Sequence, residues 1–299
     1  MTLLEQLKYQ YRTGGTFQKL IFINIAIYLI FTTIWIFCEL MMWSNSKDWL
    51  HNQLAFHSEP VESIKHIWGI FTYMFLHDSR PIPGFWHLLF NMIFLYFSGR
   101  IFEDLLGSKK FLSTYIIGGF MGALFHFTSV NIFPKFFEAS QNTLPLVGAS
   151  ASVSAIIMTI GLYAPKYEIY LFRTFKLKLI YIALFFILFE YLRLANNDGT
   201  SHFAHFGGAI WALILVNNLK KGRDLSTWME KTVDLITGLF KKKKIKIVYK
   251  KSKPVKKPVK NDRSRQEKVD AILDKIKVSG YDSLSKEDKD YLFDASKNI

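Results

Sequence analysis

Apolar stretches separated by short polar or basic stretches fill the first 219 residues of the chain. Six of them are predicted to be membrane helices, at about residues 20–41, 86–102, 111–130, 148–164, 179–194 and 202–219. The first is long enough to cross a hydrocarbon core of ~30 Å. The pattern predicts an all-α membrane protein with six membrane spans over residues 20–219.

A long mixed segment, residues 42–85, separates the first two spans. It contains three tryptophans and four histidines, and its portion 67–76 is apolar but too short to cross a bilayer. That portion is predicted to lie in the membrane interface or to re-enter the bundle.

Lysine and arginine are unevenly distributed between the connections. They are frequent in residues 1–19, in the turn 103–110, in the connection 165–178 and after residue 219, and residues 195–201 contain none. Basic connections stay on the cytoplasmic side, so both termini are predicted to be cytoplasmic. No short apolar segment with a small-residue cleavage site follows residues 1–19, which are therefore predicted to be a cytoplasmic N-terminal segment and not a removable signal peptide.

This topology places polar residues from three spans at one depth. The second, fourth and sixth spans all run from the outer side inward, so their first turns lie near the outer face. Those turns contain His87 and Asn91, Ser150, and His205, respectively. Polar groups within a membrane are costly and by default indicate function.

Ser150 lies in a run of small residues, 148–155, that opens the fourth span. Small residues let a second helix approach closely, so the serine is either packing filler or a nucleophile. A nucleophilic serine needs a base within hydrogen-bond reach. Close packing near the site, predicted at Gly148, Ala151, Gly207 and Gly208, would let the fourth and sixth spans touch and bring Ser150 to His205.

His87 and Asn91 are four residues apart, so both lie on one helix face and can donate hydrogen bonds to a developing oxyanion. We predict no acidic side chain at the depth of His205, because Glu190 ends the fifth span and Asp198 lies in the following turn. The sequence therefore predicts a Ser-His dyad and not a triad.

His202 has two interpretations. With His205 and His87 it could complete a three-histidine zinc site. The HExxH pattern that supplies a general base to zinc proteases is absent from the sequence, so we favour an interfacial polar residue and predict neither a metal nor a cofactor. The lone Cys38 excludes an intramolecular disulfide framework and a CxxC metal site.

Three motifs, GAS at 148–150, AHFGG at 204–208 and HLLFN at 87–91, together resemble the rhomboid intramembrane serine proteases. The resemblance covers about residues 20–219 and extends to Gly99, Glu103 and Gly107 after the second span and to a loop containing Trp68. It implies a six-helix rhomboid-like bundle that hydrolyses membrane-anchored substrates at or near their transmembrane segments, in a bacterial cytoplasmic membrane.

The same resemblance implies roles for individual residues. Ser150 would be the nucleophile and His205 the general base, while His87, Asn91 and the Ser150 backbone N–H would form the oxyanion hole. The fifth span would be a lateral gate for substrate. Two positions depart from the family: Ala151 replaces the usual glycine, and Ser154 replaces an aromatic residue that often stacks on the histidine, so His205 must be held in another way.

Half of all residues are hydrophobic and only 21% are charged, as expected of a membrane protein. The net charge is +14, yet residues 220–299 alone hold 23 Lys or Arg against 12 Asp or Glu. Residues 220–264 are predicted to be a Lys-rich juxtamembrane linker, in which eleven lysines fall within 241–260. A linker beside the membrane is expected to bind anionic lipid, which we favour over nucleic acid as its partner.

Residues 265–299 recover a helical period and are predicted to form a small cytoplasmic helical hairpin, open to roles in regulation, docking or oligomer contact. It is similar to the hairpin appended to some bacterial rhomboids.

A catalytically inactive rhomboid-like protein that binds membrane clients is the rival interpretation of the whole chain. It would normally lack the serine or the histidine. A small-solute transporter would show paired internal repeats, which the sequence lacks.

Overall fold

The computed structural model describes residues 2–43, 48–136, 145–171, 174–194, 199–240 and 262–296. The helices are α1 Leu3–Thr13, α2 Thr16–Leu40, α3 Trp49–Leu54, α4 Pro60–Lys65, α5 Gly69–Thr72, α6 Pro81–Leu106, α7 Ser108–Ile132, α8 Ser150–Tyr163, α9 Leu179–Arg193, α10 Gly199–Leu219, α11 Thr227–Phe240, α12 Asp262–Ser279 and α13 Lys286–Ser296. The chain divides into two compact units, Met1–Lys241 and Lys242–Ile299.

Three helices, α2, α6 and α7, are long and apolar enough to cross a membrane, and α8 is a shorter apolar helix. The protein is therefore a helical membrane protein. Helices α8, α9 and α10 fall on the last three predicted spans, and α10 packs on both α7 and α8. The count of six spans stays a prediction.

Helix α8 is the centre of the bundle, with every residue from Ala151 to Gly161 buried. Small residues allow this. A Cβ atom added to Gly122 of α7 would lie 2.4 Å from the Cβ of Ala151, and one on Gly208 of α10 would lie 2.1 Å from the Ala151 carbonyl oxygen. A side chain at Gly208 would therefore separate α8 from α10, and one at Gly122 would separate α7 from α8.

The motif at the end of α6 joins the first two long helices. The backbone N–H of Phe17 donates to Glu103 Oε1 over 3.0 Å, so a carboxylate lies at the N-terminal end of α2, where the helix dipole favours it. Gly99 lies against Phe17, and Gly107, with φ of 84°, ends α6 in a conformation that favours glycine. These residues are structural.

The segment between α2 and α6 packs into the bundle. Its apolar portion forms α5 and the 3₁₀ turn Tyr73–Phe75, in which Tyr73 and Met74 are buried. The Tyr73 hydroxyl donates to the Gly119 carbonyl of α7 over 2.6 Å, and the Tyr73 carbonyl accepts the N–H of Gly148 over 3.0 Å. The segment thereby holds the residues that precede α8.

Two short strands add to the predicted helices. Strands β1 Glu168–Leu171 and β2 Phe175–Lys178 form an antiparallel hairpin, with Glu168 opposite Lys178, in the connection between α8 and α9. This stretch is predicted above only as a basic connection. In β2, Phe175 and Leu177 alternate with Lys176 and Lys178, which is the period of a strand.

The predicted Lys-rich linker 220–264 begins with a helix, α11, that packs on α7 with Met229 buried. Lys110 pairs with Asp224, and Lys109 pairs with Asp234 over 2.5 Å. Lysines 241–260 lie outside the described residues. Within 265–299, Gly280 with φ of 76° follows α12, and Ile272 of α12 and Leu284, which precedes α13, are buried.

Candidate active site

Ser150 is the first residue of α8. Two residues before it, Gly148 has a backbone conformation with positive φ. Gly148 has φ of 128°, which a side chain disfavours. A Cβ atom at Gly148 would lie 2.8 Å from His87 Nε2 and 3.5 Å from Ser150 Oγ. The missing side chain therefore leaves open the space that borders both groups.

The Ser150 hydroxyl meets His205 of α10. Ser150 Oγ lies 2.7 Å from His205 Nε2, within hydrogen-bond distance, and the His205 side chain is 14% exposed. The contact depends on the close packing of α8 and α10 at Ala151 and Gly208. The predicted nucleophile and base are thus brought together, over a separation of 55 residues in the chain.

His87 and Asn91 lie on α6 beside this pair. The Asn91 side-chain amide donates to the His87 carbonyl over 3.0 Å and lies 3.4 Å from His77 Nε2. His87 borders the space at Gly148 described above. His87 is therefore near Ser150, Asn91 contacts His87 and His77, and the catalytic roles of His87 and Asn91 stay predictions.

His77 is a neighbour of the site that the sequence analysis did not single out. It is 2% exposed, its ring lies 5.0 Å from that of His87, and its carbonyl accepts a hydrogen bond from His51 Nε2 over 2.9 Å. The concentration of histidines in residues 42–85 is the sequence signal that could have pointed to it.

An acidic side chain lies beside His205, so the prediction that none does is wrong. Glu190 of α9 is 5% exposed, and its Oε2 lies 2.6 Å from His205 Nδ1. The groups Ser150, His205 and Glu190 therefore form a continuous hydrogen-bonded row, and the geometry is that of a triad instead of a dyad. The physical reason is that α9 runs opposite to α10, which brings its last turn to the level of the first turns of α10.

His202 also differs from its prediction as an interfacial polar residue. It is 3% exposed, and its Nδ1 lies 2.5 Å from the same Glu190 oxygen. His202 and His205 are three residues apart on one face of α10, so one carboxylate oxygen reaches both rings.

The groups suited to hold a metal are not the three histidines of the zinc alternative. Within the part of the chain that the structure describes, they are Glu190, His202 and His205, whose ligand atoms lie within 4.8 Å of one another. The two Nδ1 atoms stand at hydrogen-bond distance from a shared carboxylate oxygen, so N–H donation satisfies the carboxylate without an ion.

The departure at Ser154 has a counterpart on α9. Ser154 Oγ donates to the Ser150 carbonyl within α8 over 2.9 Å, so it does not support the His205 ring. Phe186 of α9 lies beside that ring, with 6.3 Å between ring centres. Phe186 and Glu190 both project from α9, which thereby supplies two of the contacts of His205.

Comparison with known proteins gives two family matches. The model of the Rhomboid domain matches residues 65–220, which is more than half of the chain, and that of DUF6576, a family of unknown function, matches residues 260–298. The first match contains α6 to α10 and every predicted site residue, whereas α1 and α2 precede it.

One curated relative is the RHOMBOID-like protein 12, mitochondrial, of Arabidopsis thaliana. It is 30% identical to the chain over 145 residues, which cover 46% of this chain and 43% of the relative. The chain therefore spans less than half the length of this relative.

Proposed function

The chain belongs to the rhomboid family of membrane proteins, and from this membership we propose that it is an intramembrane serine endopeptidase that hydrolyses transmembrane protein substrates at or near their membrane segments. The observation that carries the proposal is the distance of 2.7 Å between Ser150 Oγ and His205 Nε2, in a family whose reaction needs that pair.

The first half of the reaction forms an acyl-enzyme. Ser150 Oγ attacks the scissile carbonyl carbon and its proton passes to His205 Nε2. The C–N bond then breaks, and the same proton passes to the leaving amine. Water next attacks the ester carbonyl, gives a proton to His205 and releases the carboxyl product, while Ser150 recovers its proton.

The negative charge that develops on the substrate oxygen needs donors that are already in place. We assign them as His87, the Asn91 amide and the backbone N–H of Ser150. The first N–H groups of a helix have no partner within that helix, and Ser150 is the first residue of α8. The open space at Gly148 borders His87 and Ser150, which makes it a suitable place for that oxygen.

The same proposal includes a placement in the membrane: six spans, both termini in the cytoplasm, and a bacterial cytoplasmic membrane as the location. The distribution of Lys and Arg between the connections supports the orientation. A reporter fused after Ile299 would be found outside the cytoplasm if the orientation were reversed.

Anionic lipid is the proposed partner of the Lys-rich stretch. Helix α11, which precedes it, exposes Trp228, Leu235 and Ile236 while Met229 faces the bundle. An exposed apolar face followed by eleven lysines suits the boundary between headgroups and acyl chains. Replacing the lysines of 241–260 with serine should remove any dependence of activity on anionic lipid.

Cleavage of a model membrane-anchored substrate in liposomes tests the proposal. The wild-type protein should cleave it and react with a fluorophosphonate, whereas Ser150→Ala and His205→Ala should do neither. Ser152→Ala is the matched control, because Ser152 Oγ is buried on the same helix with no hydrogen-bond partner among the described residues. Persistent cleavage by Ser150→Ala would refute the mechanism, and a wild-type protein that binds the substrate without cleaving it would favour the inactive client-binding alternative.

A further inference from the structure

We propose that Glu190 is a positioning residue for the general base, so that this chain uses a Ser150–His205–Glu190 triad anchored on α9. The inference rests on the proposed function. It adds to that function a third residue, from a helix that supplies no nucleophile, base or oxyanion donor.

The burial of Glu190 shows that its carboxylate is directed at the site. It is 5% exposed, while its neighbours Phe189 and Tyr191 are 46% and 64% exposed. A buried carboxylate is costly unless hydrogen bonds satisfy it. Here both bonds to Oε2 come from imidazole rings, of His202 and His205.

These bonds determine which nitrogen of His205 carries the proton. An ionised carboxylate can only accept, so His205 Nδ1 must be the donor to Glu190. Nε2 of the neutral ring is then an acceptor and faces the Ser150 hydroxyl at 2.7 Å. Glu190 thus selects the tautomer that a general base requires, and it stabilises the imidazolium that forms when the serine proton arrives.

His202 holds the carboxylate in place. Its Nδ1 donates to the same oxygen over 2.5 Å, from a ring that is almost fully buried. Since one oxygen accepts from both rings, His202 limits the positions open to the carboxylate. His202 is therefore a second positioning residue, one step further from the reacting atoms.

The face of α9 that packs on the bundle is also the face that carries Glu190. Leu179, Ala183 and Glu190 are its buried residues, and Phe186 completes a stripe with steps of four, three and four that faces the bundle. A Cβ atom on Gly161 of α8 would lie 2.5 Å from the Cβ of Ala183, so the two helices touch two turns before Glu190. This contact sets the distance of α9 from the site.

The serine at position 154 of α8 is consistent with a role for α9 in orienting His205. Because no aromatic ring projects from that position of α8, the orientation of His205 must come from elsewhere, and α9 supplies both a ring and a carboxylate. The departure from the family at Ser154 and the presence of Glu190 are thus two parts of one arrangement.

Kinetics of four variants in liposomes test the inference. Glu190→Gln keeps the shape and loses the charge, so kcat should fall roughly 10²- to 10⁴-fold with KM unchanged, as expected when a base loses its preferred tautomer. Glu190→Asp should recover part of kcat. Glu190→Ala should be inactive and be partly rescued by added formate, which supplies a carboxylate to the vacated space. Tyr191→Phe, an exposed neighbour on the same helix, is the control.

Formate rescue separates positioning from a structural role, since a folding defect would not respond to it. Each variant is also checked by thermal unfolding. A Glu190→Gln protein with kcat within threefold of wild type would overturn the inference. The inference would also be overturned if the Glu190→Ala protein had the same thermal unfolding as the wild type but stayed inactive in the presence of formate. Activity lost on chelation and restored by Zn²⁺ would overturn it in favour of a metal held by the same three side chains.

The failure of this inference and that of the proposed function are distinguishable. If the wild-type protein cleaves substrate through Ser150 while Glu190→Gln matches it, the protease stands and the triad does not. If wild-type Ser150 neither cleaves nor reacts with the fluorophosphonate, the proposed function itself fails.

Discussion

Helices α8 and α9 both contribute to the site, yet they differ in almost every physical respect. Helix α8 is buried from Ala151 to Gly161 and is enclosed by α7 and α10 at backbone distance. Helix α9 exposes most of its surface and faces the bundle through one narrow stripe. The proposed site is thus shared between a buried central helix and a peripheral one, and the peripheral one carries the carboxylate.

The two helices therefore differ in how firmly packing holds the residue that each one contributes. We expect that Ser150 cannot move without repacking α7 and α10, because glycines on both helices bring their backbones against α8. Glu190 depends on a helix with few contacts, so a displacement of α9 would withdraw the carboxylate from His205. If α9 is the gate for substrate that the resemblance to the family implies, opening of the gate would remove the carboxylate from His205.

The largest effect is expected in the central packing. Gly208→Val should abolish activity and destabilise the protein by about 3 kcal/mol, because its Cβ would meet the Ala151 carbonyl, which is backbone and cannot move aside. Thermal unfolding and cleavage assays measure both. Gly238→Ala on α11, where no described atom lies within 4 Å of an added Cβ, is the control: it should leave activity unchanged and raise stability by at most about 1 kcal/mol, because alanine favours a helix.

Gly148→Ala is expected to destabilise the protein less than Gly208→Val but to abolish its activity as well. The conformation with φ of 128° costs a side chain about 1–3 kcal/mol, and the new methyl group would occupy the space beside His87. Fluorophosphonate labelling of Ser150 should be strongly slowed while the protein remains folded. Normal labelling would show that this space is not where the oxyanion forms.

Ala183→Leu tests whether the distance of α9 from α8 matters. The larger side chain should push α9 away from Gly161 at a cost of about 1–3 kcal/mol, and kcat should fall as in Glu190→Gln because the carboxylate moves with the helix. Ala183→Gly, which removes bulk, should retain activity. Equal kcat in the two variants would mean that α9 is a passive wall of the bundle.

The smallest effect is expected on the outer face of α9. Leu188 is 54% exposed, so Leu188→Ala should change the stability in detergent by no more than ~0.5 kcal/mol and leave kcat unchanged. A fall in kcat at this position would indicate that the outer face of α9 contacts the substrate, which would sharpen its role as a gate.

Much of the site follows from the order of residues. Periodicity and the Lys and Arg distribution predict antiparallel spans, and that alternation alone brings Ser150, His205, His87 and Asn91 to one level. The same rule should have placed Glu190 there, since the fifth span ends where the sixth begins. Glu190 continues the apolar stripe of Leu179, Ala183 and Phe186, so the helical period also places it on the face towards the bundle. The sequence prediction used only its position at the end of the fifth span and not this face.

The sequence by itself determined a helical membrane protein and the small residues that let α8 and α10 touch, and it predicts a common depth for the polar groups. Only the tertiary structure decided which groups share hydrogen bonds, because a pair such as Ser150 and His205 is separated by 55 residues and meets only through packing. It also decided that Glu190 serves two histidines at once. The depth of a residue in the membrane follows from its position along its own span. A contact between two side chains also needs the right rotation and spacing of their helices, and these depend on how the side chains of neighbouring helices pack together.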